Sequence, residues 1–306
     1  MSDVAAGGSE SALAVFQRHR PALFGIAYRM LGSVGDAEDV LQDAWLKWSA
    51  VAGEGVGQPR AYLARTVTNL SLNRLKSAVV RRESYVGPWL PEPLVTAEDE
   101  AGFAVEQAED VSLAMLVVLE TLSPLERAVF VLCDVFGYSF GEIAAMLDRS
   151  ETSVRQVGSR ARSHVQARRP RYDAPAEVRR RITDEFLAAC VGGDLNQMMA
   201  MLAPDVAAWT DGGGKIRAAL RPVRGADRVA RWIIGVLQKS VPEAEALSVL
   251  VNGQPGVLIN SIGKPDSVAA IDVDADGRIT AIRLIRNPDK LRHLDWQRRV
   301  GEDDGR

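Results

Sequence analysis

Apolar residues recur at helical spacing from the start of the chain. Leu13, Phe16, Leu23, Phe24, Ile26, Ala27 and Met30 predict a helix over 11–31, and Val40, Leu41, Ala44, Trp45 and Trp48 give a second, over 36–48, one apolar face. The Gly-rich stretch Gly53–Gly57 breaks this pattern. Pro59 suits the first turn of a third helix, which runs to about Arg82 and carries Tyr62, Leu63, Val67, Leu70, Leu72 and Leu75. Periodicity then fades over 84–107, where Pro88, Pro91, Pro93 and a run of acids read as a linker. Yet Trp89-Leu90-Pro91-Glu92-Pro93-Leu94 puts large apolar groups where a bare tether has no use for them, so this segment is expected to dock in a groove.

Helical spacing returns over 108–170, with local start signals. Ser123-Pro124-Leu125-Glu126 and Ser139-Phe140-Gly141-Glu142 both read as capping boxes. The short turn Asp148-Arg149-Ser150 leads from one short helix into a second, Glu151–Ala167, rich in Arg and Gln, which is the helix-turn-helix pattern. Beyond Pro170 and Pro175 the character changes. Ala176–Val191 is an amphipathic helix and Leu195–Leu202 a short one. Strand-like runs follow at Val206–Thr210, Ile216–Leu220, Leu247–Val251, Val257–Ile262, Ser267–Val273 and Ile279–Leu284, interrupted by a helix near Ala226–Leu237. Asp274-Ala275-Asp276-Gly277 reads as a hairpin turn, and the whole as a small α+β domain with a curled sheet.

Composition adds limits. With 306 residues, 47% hydrophobic and 25% charged, the chain has room for two or three globular domains and is neither collagen-like, disulfide-scaffolded nor wholly disordered. Cys133 and Cys190 read as buried free thiols rather than a disulfide, as expected in a reducing compartment. The first ten residues lack a signal-peptide pattern and no run approaches a membrane span, so a soluble cytoplasmic protein is expected. His19, His164 and His293 have no metal-ligand spacing, and no metal or cofactor is expected.

The net charge of -3 argues superficially against nucleic acid, but the charge is segregated. Asp36, Glu38, Asp39 and Asp43 form an acidic cluster. Arg60, Arg65, Arg74, Lys76, Arg81 and Arg82 make 60–82 a block of +6, the acids from Glu92 to Asp110 make -7, and 149–171 is again +6. Basic helices of this kind can lie along phosphates, whereas the acidic helix would be repelled by them and suits a basic protein surface.

Taken together these motifs resemble the extracytoplasmic-function (sigma-70) family of sigma factors of bacterial RNA polymerase. Asp36-Ala37-Glu38-Asp39-Val40-Leu41-Gln42-Asp43-Ala44-Trp45 resembles the polymerase-binding helix of region 2, and Pro59-Arg60-Ala61-Tyr62-Leu63 through Asn69, Asn73 and Arg74 the helix that meets the −10 element. Leu122-Ser123-Pro124-Leu125-Glu126-Arg127 with the helix-turn-helix resembles region 4, which reads the −35 element. Trp89–Leu94, Asp211-Gly212-Gly213-Gly214-Lys215 and Asn287-Pro288-Asp289-Lys290-Leu291 resemble the subgroup carrying a C-terminal SnoaL-like domain.

The resemblance implies a multi-domain chain. A region 2 helical bundle (10–82), a linker (83–107) and a region 4 helix-turn-helix (108–170), both modules all-α, precede an α+β NTF2-like or SnoaL-like cone (176–295). It implies core RNA polymerase and promoter DNA as partners, and regulation in cis by the tail rather than by a separate anti-sigma protein. Polymerase binding falls to Asp36, Glu38, Asp39, Gln42 and Asp43. Contact with the −10 element falls to Arg60, Arg65, Asn69, Asn73, Arg74 and Lys76, with Gly53–Gly57 as the loop that captures a flipped base. Contact with the −35 element falls to Thr152, Arg155, Gln156, Ser159, Arg160 and Arg162, of which Arg suits guanine and Gln adenine. Trp89, Leu90, Pro91 and Leu94 of the linker would dock on Asp211, Gly212, Gly213, Lys215 or on Asn287, Pro288, Asp289, Lys290, Leu291. One departure is Val157, where many relatives carry a basic residue, followed by Gly158 mid-helix at about 1 kcal/mol less favourable than Ala.

Two other readings stand beside this one. The C-terminal domain could be an enzyme or a ligand sensor with a cavity for an unidentified small molecule, fused to a DNA-binding helical module. Asp211, Trp209 and Arg283 would then be cavity groups. The spacing around Lys215 does not make a phosphate loop, and a glycine turn between strands suits Asp211–Lys215 better, with no catalytic residue. The third reading is a dimeric helix-turn-helix regulator. Tyr62 could stack on a base or sit in the core.

Overall fold

The computed structural model describes residues 11–52, 56–96, 111–168, 174–240 and 243–294. The Gly53–Gly55 part of the loop expected to capture a base, the acids from Glu98 to Asp110, and Arg169 lie outside the described residues. So do the side chains of Arg81 and Arg82. The chain divides into two compact units: Met1–Leu31, Gly35–Ser77 and Leu122–Ser163 form one, and Gly32–Val34, Ala78–Thr121 and His164–Arg306 the other.

The first 168 residues form α1 (Ala12–Leu31), α2 (Val34–Val51), α3 (Pro59–Glu83), a short strand β1 (Val95–Thr96), α4 (Leu113–Leu119), α5 (Pro124–Phe130), α6 (Phe140–Leu147) and α7 (Glu151–Arg168). A π-helical turn, Val131–Val135, continues α5. The core of the first unit follows the predicted apolar stripes. Ile26 and Met30 of α1, Val40 and Leu41 of α2, and Leu63, Val67 and Leu75 of α3 are all nearly or fully buried. Phe16 packs edge-on against Trp45 at 5.2 Å.

Both capping boxes form. Ser123 Oγ accepts from Glu126 N and Ser139 Oγ from Glu142 N, while each Glu side chain returns a bond to its Ser backbone. Asp148 ends α6 in the left-handed region with φ 53, the conformation that turns the chain into α7.

Along α7, Val154, Val157, Ala161 and Val165 form one buried stripe. Val157 therefore belongs to the core and not to the polar, basic face of α7. Gly158 has a packing reason: a Cβ there would lie 3.0 Å from the Phe140 ring of α6. The glycine lets the two helices approach closely and offsets its poor helix propensity.

The second unit holds α8 (Ala176–Gly192), α9 (Leu195–Met201), α10 (Ala226–Ser240) and α11 (Pro288–Leu291), with β2 (Leu202–Asp211), β3 (Val223–Arg224), β4 (Ala244–Val251), β5 (Gln254–Ser261), β6 (Lys264–Val273) and β7 (Ile279–Ile285). All seven strands join one sheet in the order β1-β4-β5-β6-β7-β2-β3. Only the β2–β7 pair is parallel among the described strands. Ile182, Phe186, Met198, Val206, Val229 and Ile282 are among the buried residues that join the helices to the sheet, completing the expected α+β architecture.

Two expectations are corrected. Ile216–Leu220 is not a strand: Lys215 N and Ile216 N both bond to Gly212 O, so the chain turns there, and Leu220 stays 66% exposed. The fading periodicity over 84–107 also hides a packed element, because Val95 and Thr96 add a strand to the sheet edge opposite Val251 and Leu250 of β4. Cys133 and Cys190 are free, but each is only partly buried.

Ser139→Ala removes one half of the α6 box and should lower stability by about 1 kcal/mol, read as an earlier urea midpoint of the full chain at unchanged m-value.

Candidate nucleic-acid interface and linker seat

The acidic residues of α2 do not all face solvent alone. Glu38 pairs with Arg20 at 2.5 Å. Arg74 of α3 reaches back with Nε 2.9 Å from Asp36 Oδ1, and its Nη2 bonds to Asp39. Gln42 and Asp43 are exposed. Arg74 thus ties α3 to the acidic helix, which lowers the net charge of that face.

On α3, Arg65, Asn69, Asn73 and Lys76 recur at helical spacing and are exposed. Tyr62, Arg65, Asn69 and Asn73, with Lys47, line a surface groove of about 250 Å³. Tyr62 is half-buried, its ring centroid 5.9 Å from that of Trp48, so it is part core and part groove wall. Arg60 is exposed and lies over the Tyr138 ring at 5.3 Å. Asn69 Nδ2 is 3.4 Å from Met146 O, a long hydrogen bond.

Thr152, Arg155, Gln156, Ser159, Arg160 and Arg162 are exposed on α7, away from its buried stripe. Arg155 bonds to Glu151 at 2.5 Å and lies 5.2 Å over the Phe140 ring. Arg162 bonds to Asp134 at 2.8 Å and lies over the same ring. Both guanidiniums are therefore oriented before any partner arrives.

The three islands singled out in the linker and tail meet inside the second unit. Asp211, at the end of β2, is 0% exposed. Its Oδ1 accepts from Tyr85 OH at 2.5 Å and Gly213 N at 3.1 Å, and its Oδ2 from Leu90 N and Lys290 Nζ, both at 2.8 Å. Lys290 Nζ also bonds to Leu90 O and lies 4.0 Å over the Trp89 ring. Asn287 donates to Tyr85 OH at 2.8 Å. Burial, and then donation to the Asp211 carboxylate, push the Tyr85 phenol far above its usual value, so it remains a donor.

The glycines make room for this knot. A Cβ on Gly213, whose φ is +61, would strike the Asn287 amide, and one on Gly214 would press Val86. Leu90 is 2% exposed, Pro91 is buried and Leu94 half-buried, while Lys215 pairs with Asp289. Pro288 is exposed and Leu291 buried.

The linker is held at its far end as well. Leu94 N donates to Asn252 Oδ1 at 3.2 Å, Asn252 N donates to Leu94 O at 2.7 Å, and the His293 ring bonds to Pro93 O at 2.7 Å. Tyr85 and Asn252 carry no site signal in the sequence, and His293 is weighed there only as a metal ligand. Asn252-Gly253 carried a turn signal, but nothing local says that Asn252 also holds the linker.

The candidate enzyme groups are otherwise engaged. Asp211 accepts from four donors, and Arg283 bonds to Asp272 at 2.7 Å while lying 5.5 Å over the Trp209 ring.

Residues 15–80 match the family model described as Sigma-70 region 2, and residues 112–165 match Sigma-70, region 4. The chain is 39% identical over 303 residues to the ECF RNA polymerase sigma factor SigJ of Mycobacterium tuberculosis, covering 95% of this chain and 96% of that one. The chain belongs to the extracytoplasmic-function sigma factors. A probable ECF sigma factor SigI of the same species is 31% identical over 91% of this chain and 94% of its own length. The crystal structure of M. tuberculosis SigJ superposes with a TM-score of 0.73 at 37% identity, covering 91% of this chain and 97% of that chain. This sigma factor is thus a transcription-initiation protein whose regions 2 and 4 are followed by an α+β domain. No described helix is long and apolar enough to cross a membrane.

The seat can be tested by stability alone. Tyr85→Phe removes a bond to a charged acceptor and should cost about 1.5–3 kcal/mol. Lys290→Met leaves the Asp211 carboxylate buried without its cation and should cost about 3–5 kcal/mol. Urea midpoints equal to wild type for both would show that the carboxylate does not anchor the linker.

Proposed function

We propose that this sigma factor binds core polymerase through the α2 face bearing Asp36, Glu38, Asp39, Gln42 and Asp43, and that its pinned linker lets the C-terminal domain set promoter activity in cis. Arg60, Arg65, Arg74 and Lys76 supply phosphate affinity along α3, and Asn69 and Asn73 read bases of the −10 element. Asn69 exchanges its long bond to Met146 O for a base edge. Thr152, Arg155, Gln156, Ser159, Arg160 and Arg162 meet the −35 element in the major groove, with Arg155 and Arg162 pre-oriented by Phe140. The functional boundaries are 10–82 for region 2, 83–107 for the linker, 108–170 for region 4 and 176–295 for the C-terminal domain. The protein works in the bacterial cytoplasm, needs no separate anti-sigma protein and is not an enzyme.

The buried Asp211 carries the regulatory half of this reading. Its carboxylate accepts from both Tyr85 and Leu90, which ties residues 85–90 of the linker to the tail. An ordered spacer spends less conformational entropy when promoter binding fixes it.

Run-off transcription with core polymerase tests the proposal. The full chain should initiate at a specific promoter, which neither a fused enzyme nor a dimeric repressor would do. Arg155→Ala should weaken −35 binding by about 1–3 kcal/mol, and an unchanged footprint would remove Arg155 from the contacts. Tyr85→Phe should reduce specific transcript yield about three- to tenfold at unchanged core-polymerase affinity, since the freed linker must then be ordered on DNA. Equal yield would overturn regulation through the linker seat.

A further inference from the structure

The cone of the second unit contains a cavity of about 450 Å³ that the linker seat does not use. Its walls come from α8, α10 and the strands β4 to β7, and most of its lining is apolar, including Phe186, Trp232, Ile259 and Ile271. That size falls in the range of sites that enclose a small organic molecule.

Two polar side chains break the apolar wall. Ser267, Ala269 and Ile271 alternate along β6 so that all three line the cavity. Ser267 is 2% exposed, and its hydroxyl has no hydrogen bond to any other described residue. Arg286, 4% exposed, also lines the cavity. Its Nε and Nη2 bond to Asp266 at 3.2 and 2.9 Å, which leaves Nη1 for another acceptor.

The charge balance decides the chemistry. Asp266 already neutralises Arg286, so a ligand carboxylate would bring an uncompensated charge into a largely apolar space. A neutral carbonyl would instead accept from Arg286 Nη1 and from Ser267 Oγ while its apolar body fills the remainder. The Cys190 thiol in the wall is held up at about 12 by burial and stays neutral, in keeping with an uncharged guest.

We propose that this cavity is a binding site for a small, neutral, predominantly apolar molecule carrying one carbonyl-type acceptor, seated on Arg286 and Ser267.

The test is titration calorimetry on the full chain with 2-undecanone and the bicyclic ketone 1-decalone, against undecane and undecanoate. At least one ketone should bind saturably, and at least tenfold more tightly than undecane or undecanoate. Ser267→Ala should weaken the ketone about fivefold and leave undecane unchanged. Ala269→Leu should abolish ketone binding by filling the space, with the thermal midpoint near or above that of wild type. The proposal is overturned if neither ketone binds saturably, if undecanoate or undecane binds as well as the ketone, or if Ser267→Ala leaves ketone affinity unchanged. Since Ser267→Ala removes a hydroxyl without creating a buried charge, it keeps the test decisive should Ala269→Leu fail to fold. All these readouts are independent of transcription, so they stand apart from the fate of the linker reading.

Discussion

A carboxylate with no exposure must find donors, and the donors that Asp211 finds organise the second unit. Two come from the linker, one from its own glycine turn and one from Lys290. Lys290 in turn needs acceptors and finds Asp211, Leu90 O and the π-face of Trp89. Three segments more than a hundred residues apart at the extremes are thereby joined in one neutral knot. Such a buried pair adds little net stability against an apolar replacement, yet is costly to break from one side. Its value is that few other placements of 85–94 would satisfy every member.

The same logic of compensation runs through the helices of regions 2 and 4. Arg74 spends its charge on Asp36 and Asp39, and Arg155 and Arg162 are held by Glu151 and Asp134 while lying on Phe140. These pairs are exposed or half-buried and worth little as stability. They restrict where the guanidiniums point. Arg127 shows the opposite case: it is buried, donates to Met30 O at 2.7 Å, and burial pulls its guanidinium down to about 10, so it serves packing rather than recognition.

The helices were legible because their signals are local. Capping boxes lie within four residues, and a 3.6-residue stripe needs no partner to be seen. The long strands were also visible, since Leu247–Val251, Val257–Ile262, Ser267–Val273 and Ile279–Leu284 each fall on or largely within β4 to β7. Ile216–Leu220 misled because a short apolar run looks like a strand until a ladder partner is required. Conversely β1 consists of two residues between a proline-rich run and acids, and only the open edge of β4 makes it a strand.

Chain order and charge blocks were enough to place two basic helices, an acidic helix and a docking linker, since those depend on spacing and sign alone. The inward side of α7 was not, because whether Val157 meets DNA or the core depends on which face the neighbouring helix covers, and Phe140 against Gly158 settles that. The seat likewise combines motifs readable one by one with partners, Tyr85, Asn252 and His293, that carry no signature. Hydrogen bonds across 126 or more residues of sequence leave no local trace, and only the folded chain brings their donors and acceptors together.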